Sequence, residues 1–198
     1  ERDRLLRNIE RRIMTIDGLR VLPPDQTDRC SYSFGTIPQI WGWATWKRAW
    51  LHYDNELSGW PGFKDKNHLR NAYLFESHAR YFEPIFDDVY NHRIDSWAYA
   101  WLFACWMQSG LCVRPSVNLI ENIGFFPSGT HVRQKPAWAP EKAGGMPEVL
   151  RHPRNIYCHR VLADTEFDML FRSESRGRGI ISRLRHVCGR MRHLLCGT

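Results

Sequence analysis

The chain lacks most of the signatures that settle a protein class at a glance. Its six cysteines, Cys30, Cys105, Cys112, Cys158, Cys188 and Cys196, form no Cys-x-x-Cys and no regular Cys/His spacing, which excludes a zinc motif on sequence grounds. No secretory leader and no run of about 20 apolar residues is visible. The expectation is therefore free thiols in a reducing cytoplasm. No internal repeat appears. Lysine is missing altogether from Arg172 to Thr198, where seven Arg stand against one Glu. That stretch carries +6 of the net charge of +7, so the residues before it are close to neutral. A general nucleic-acid surface is not expected.

What is present is tryptophan. Ile40-Trp41-Gly42-Trp43-Ala44-Thr45-Trp46-Lys47-Arg48-Ala49-Trp50 holds four Trp around one glycine. Indoles bury much apolar area and keep one N–H donor, which suits a wall built against a planar or sugar-like ligand. Gly42 allows close backbone approach. Trp46 and Trp50, spaced i,i+4, draw one helical stripe and are expected in the core. For Trp41-Gly42-Trp43, core and binding site are both open.

With 198 residues and 43% hydrophobic content, the chain supports one core, assigned to residues 1–171, with 172–198 as a basic linker and tail. Arg12 to Ile16 reads as a short buried strand closed by Asp17-Gly18, and Ser31 to Phe34 as another. Helices are expected from Thr45 to about Tyr53, between His68 and His78, and around Tyr81 to Tyr90. Ser96 to Ser109 is apolar almost all round and should be a buried helix ended by Gly110. Leu111-Cys112-Val113 fits a strand broken at Pro115, Val117 to Ile120 a further extended piece, and Thr165 to Phe171 a weak helix. Helices interleaved with short strands indicate an α/β domain with α+β character.

Three places carry candidate chemistry. Asp95, directly before the buried helix and Trp97, is either its N-cap or a general base at a cleft mouth. Asp87-Asp88 reads as a solvated helix face. Asn118 and Asn122 flank apolar residues, where an amide must find partners, and either orient a ligand hydroxyl or cap turns. His131 sits on a Gly-containing loop. In the tail, Ile180, Ile181, Leu184, Val187, Cys188, Met191, Leu194 and Leu195 fall on one helical stripe, with arginines and histidines on the remainder. A basic amphipathic helix over 180–195 fits an anionic membrane surface, or docking on a protein.

Taken in order, Arg12 to Gly18, Pro38 to Trp50, Ile94-Asp95-Ser96-Trp97 with Trp101, and Val117 to Phe125 with Thr130-His131 resemble the later half of bacterial family-2-like glycosyltransferases. These are nucleotide-diphospho-sugar transferases of the GT-A fold. The resemblance covers roughly residues 5 to 171. It implies transfer of a sugar from a nucleotide-diphosphate donor to a carbohydrate or lipid-linked acceptor in surface polysaccharide or glycoconjugate synthesis. Trp41, Gly42, Trp43, Trp97, Asn118 and Asn122 would then line the substrate side. Asp95 would be the base and His131 a ligand of a divalent Mn or Mg. The location implied is cytoplasmic, peripheral on the inner membrane face. The family's Asp-x-Asp metal motif is absent here, so the expectation is either a piece of a longer transferase or a degenerate relative kept for binding. A non-catalytic carbohydrate- or partner-binding module, or a peripheral membrane protein acting through its tail, are the alternatives.

Overall fold

The computed structural model describes residues 10–22, 30–66, 75–123, 135–136, 138–140 and 142–172. A four-stranded mixed sheet runs in the order β2-β4-β1-β3, with β1 at Ile13–Asp17, β2 at Tyr32–Gly35, β3 at Trp43–Thr45 and β4 at Leu111–Pro115. β1 and β4 are parallel, and the edge strands β2 and β3 each pair antiparallel with their neighbour. The helices are α1 at Lys47–Trp50, α2 at Trp60–Asp65, α3 at Glu76–Tyr90, α4 at Trp97–Met107 and α5 at Arg160–Phe167, continued by a π turn over Asp168–Arg172. The mixed α+β character read from the sequence is observed.

β1 departs from a simple buried apolar strand. Its pairing with β4 slips between Ile13 and Thr15. Such a bulge resets the alternation of side chains between faces. Met14 and Thr15 are both buried, Asp17 is buried, and Ile16 is 45% exposed. The polar residues of this strand therefore face inward.

α4 is apolar on every side because it serves two cores. Leu102, Phe103 and Trp106 join Trp60, Phe82, Phe86 and Phe167 in one cluster, while Trp101, Ala104 and Cys105 join Met14 and Ala49 in a second. The first is built from edge-to-face aromatic pairs, such as Phe82–Trp106 at 5.3 Å and 87° and Trp60–Phe103 at 5.6 Å and 89°. This geometry aligns ring edges with ring faces and adds to area burial.

Several expected elements shift. The helix expected over Thr45–Tyr53 is strand β3 followed by the four-residue α1, because Trp43–Thr45 completes the sheet edge against β1. The tertiary pairing overrides the i,i+4 spacing. Trp46 and Trp50 are consequently 38% and 40% exposed, not core residues. Residues 117–120 form no strand, and most of the stretch from His68 to His78 lies outside the described residues. α4 ends in the left-handed Ser109, with φ of 51°. Gly110 instead meets a steric demand, since a Cβ there would sit 2.7 Å from the Cys105 carbonyl oxygen.

Candidate functional site

Gly42 adopts φ +57°, a conformation that glycine takes without penalty. Its turn sends the two neighbouring indoles into different clusters. Trp43, on β3, lies 5.8 Å from Trp97 at 21°, 5.9 Å from Trp101 and 6.0 Å from Trp50. Trp50 stacks in turn on Tyr53 at 4.5 Å and 6°. Trp41 packs instead on Trp138 at 5.2 Å, beside Leu19, Val21 and Ile120. The single tryptophan wall expected from the sequence is two aromatic groups hinged at one glycine.

Asp95 stands two residues before Trp97, whose ring stacks on Trp43. Asp95 is exposed. The N-cap of α4 is Ser96, with φ −150° and ψ 106°, and its side chain makes no capping hydrogen bond. The capping role considered for Asp95 is therefore not what the structure contains. Among the described residues the Asp95 carboxylate has no hydrogen-bond or ion-pair partner, and its lone pairs face solvent.

Asn118 is committed to the backbone. Its Nδ2 donates to the Ile120 carbonyl at 2.5 Å and to the Lys142 carbonyl at 3.0 Å, and its Oδ1 accepts from Arg20 N–H at 3.2 Å. Leu119 N–H adds a bond to the Gly18 carbonyl at 2.9 Å. Ile120 is thereby pressed against the Trp turn, where a Cβ on Gly18 would meet its Cγ2 at 2.7 Å and one on Gly42 would overlap it. Both glycines are required for that approach. Asn122 is half-buried. His131 and the 172–198 tail beyond Arg172 lie outside the described residues. Among the described residues no group of three or more His, Cys, Asp or Glu is placed to hold a metal ion. Asp87 and Asp88, expected on a solvated face, are half-buried and paired with Lys64 and Arg93 respectively, and Asp87 also accepts from Trp60 Nε1 at 3.0 Å.

Sequence reasoning missed a buried charged group under this turn. Asp17 Oδ1 accepts from Thr15 Oγ1 at 2.7 Å, and its Oδ2 accepts from Gln39 N–H at 3.1 Å. Arg114 pairs with Glu166 and donates to the Ile37 carbonyl. Arg20 Nη1 donates to the Pro115 carbonyl at 3.1 Å. All four charged residues are at most 7% exposed. Burial pushes Asp17 up to about 6 against the pull of the Arg114 charge and its two hydrogen bonds. Burial likewise pushes Glu166 up to about 7, opposed chiefly by Arg114. Burial also works against the Arg114 charge, but Glu166 and Asp17 outweigh it and hold its pKa above the usual value. In the sequence Asp17-Gly18 reads as the close of a strand, and Arg114 lies past the expected strand Leu111-Cys112-Val113. An arginine between Val113 and Pro115 in an otherwise apolar strand was the one available signal.

No family model, curated protein or solved structure matches this chain.

Proposed function

We propose that this chain is the acceptor-side portion of a glycosyltransferase that moves a sugar from a nucleotide-diphosphate donor to an acceptor hydroxyl. The carrying observation is the exposed Asp95 carboxylate two residues before Trp97, whose ring stacks on Trp43. A carboxylate with open lone pairs can accept a hydroxyl proton, and flanking indoles offer apolar faces to a sugar ring. In the reaction, Asp95 takes the acceptor proton and the acceptor oxygen bonds the anomeric carbon. The bond from that carbon to the diphosphate breaks, and the nucleoside diphosphate leaves. Trp41, Gly42, Trp43 and Trp97 shape the substrate side, while Asn118 holds the Ile120 loop against Gly42 and Asn122 follows it in the chain. The family resemblance assigns His131 to a divalent Mn or Mg. The described residues offer no ligand set for such an ion. The acceptor is a carbohydrate or lipid-linked glycan of surface polysaccharide synthesis, on the cytoplasmic side of the membrane. Association with an anionic membrane surface through residues 180–195 fits that location. No described helix is long and apolar enough to cross a membrane.

The test is sugar transfer by the product of the complete reading frame. Asp95→Asn should lower the rate on the order of 10²–10⁴-fold, the usual contribution of a general base. A rate within a few-fold of the parent would remove Asp95 from that role. Saccharide binding that needs neither nucleotide nor metal, with no transfer, would favour the non-catalytic carbohydrate-binding module, a reading that the half-exposed aromatic group also supports. Deleting Gly179 to Thr198 should release the protein from anionic vesicles; retention would count against the tail as the membrane contact.

A further inference from the structure

Residues 36–40 connect β2 to the Trp41-Gly42-Trp43 turn, and three buried side chains grip this connection. Trp106 Nε1 donates to the Thr36 carbonyl at 2.7 Å, Arg114 Nη2 donates to the Ile37 carbonyl, and Asp17 Oδ2 accepts from Gln39 N–H at 3.1 Å. The grips come from α4, β4 and β1 respectively, so the connection is fixed to the helix and to both central strands. Asp17 also stands directly opposite Trp43 in the β1–β3 register. It therefore touches the turn's approach on one side and its exit strand on the other.

A carboxylate removed from water is costly unless its oxygens are bonded and its charge is matched. Here Thr15 and Gln39 occupy the oxygens, and Arg114, itself shared with Glu166, supplies the counter-charge. Apolar side chains of similar volume would fill the same space without that cost. They could not specify the position of a backbone N–H. We infer that Asp17 is a positioning residue: through Gln39 it sets the placement of the Trp41-Gly42-Trp43 turn, with Arg114, shared with Glu166, as its buried counter-charge. The placement stands on these contacts alone; its consequence for acceptor binding rests on the transferase reading.

A pH response follows from the groups that face Asp17. These are Arg114 and Cys112 from β4, Cys105 from α4 and Glu166 from α5, with Arg20 facing Glu166. Burial pushes both thiols up, so they stay neutral throughout. A carboxyl whose pKa is raised by burial holds its proton more tightly in the closed state than in an opened, solvated one. The contribution of Asp17 to closed-state stability is therefore present at low pH and lost as pH rises through about 6, because the burial penalty on the ionised carboxyl outweighs the Gln39 and Thr15 bonds that favour it. Glu166 acts in the same direction up to about 7.

The experiment is hydrogen exchange with mass spectrometry on the full chain from pH 5 to 8, corrected for intrinsic exchange rates. In Asp17→Ala, protection of residues 36–43 should fall by about tenfold or more while α3 changes by less than about twofold. Asp17→Asn keeps an acceptor oxygen. It should restore protection to within about threefold of the parent and abolish the pH response of 36–43 that centres near Asp17. Equal losses in α3 and in 36–43 would reduce Asp17 to general stability and overturn the inference. So would an unchanged pH response in Asp17→Asn, or a parent protein whose 36–43 protection is flat with pH. If Asp17→Ala does not fold, the comparison of Asp17→Asn with the parent decides alone. Asp95→Asn should leave every protection value unchanged, so failure of the transferase reading and failure of this one are separately visible.

Discussion

Two buried regions of the molecule solve the same packing problem with opposite chemistry. Between α2, α3, α4 and α5 lies a dry group of rings, with Trp60, Phe82, Phe86 and Phe167 all at most 1% exposed. Where β1, β4 and α5 meet, Asp17, Arg114 and Glu166 are also buried, at most 5% exposed, but ionisable. Ring packing is tolerant of which ring goes where, provided volume is filled. The charged group is not: each buried polar atom must meet its partner or carry a desolvation penalty. The aromatic side therefore holds the fold together, and the charged side fixes one connection, the approach to the Trp turn.

The contrast can be broken hardest on the aromatic side. Phe82 packs against Phe86, Trp106, Phe167 and Phe171 with no exposed surface. Phe82→Ala should destabilise by about 3–5 kcal/mol in denaturant unfolding, and protection should fall in every segment together. A loss under about 1 kcal/mol would mean that the ring group is not the main support.

A finer test uses pH, because the two sides titrate with opposite signs. Glu166 and Asp17 have raised pKa values, so the folded state holds protons that the unfolded chain has released. Their contribution to stability is present at low pH and is lost as pH rises through about 6 for Asp17 and about 7 for Glu166. His78 is the aromatic side's fully buried imidazole, stacked on Phe167 at 4.0 Å. Burial, with the charges of Arg172 and Arg114, pushes it down to about 4. Its Nε2 is 3.2 Å from Asp164 Oδ1, but the ring is neutral and this is no ion pair near neutral pH. The unfolded chain protonates this histidine first, so its contribution is lost as pH falls from about 6.5 toward 4. Measured as unfolding free energy from pH 4.5 to 7.5, Glu166→Gln should make the slope with pH more positive and His78→Phe more negative. Slopes that move together would show that the division into two electrostatic environments is wrong.

The smallest effect is expected where neither core reaches. Trp46 is 38% exposed, with the Arg48 guanidinium 4.8 Å above its ring. Trp46→Ala should cost less than about 1 kcal/mol. A larger loss would return Trp46 to the core.

α3, α4, β2 and β4 were readable within a few residues because each is a local pattern: an apolar stripe, an all-apolar run, a short β-rich segment between turn signals. Cys105 and Cys112, expected as free thiols, are free and buried. Trp97 and Trp43 were singled out separately, and the fold stacks them. Asp95 was placed at the correct helix start, with the capping role going to Ser96 by position. What escaped was the outcome of long-range pairing. Whether Trp43–Thr45 continues a helix or closes a sheet depends on β1, about 30 residues earlier in the chain.

Local residue order thus determined the long helices α3 and α4, the apolar residues of α4, and that a carboxylate stands two residues before Trp97. Those follow from periodicity and side-chain volume, which act over one or two turns of chain. Only the tertiary structure decided that Asp17, Arg114 and Glu166 meet beneath one turn, that a bulge turns Thr15 and Asp17 inward, and that Gly42 parts Trp41 from Trp43. Buried charge is tolerated only where counter-charges converge, and these residues come from β1, β4 and α5. No local pattern in the chain records that convergence.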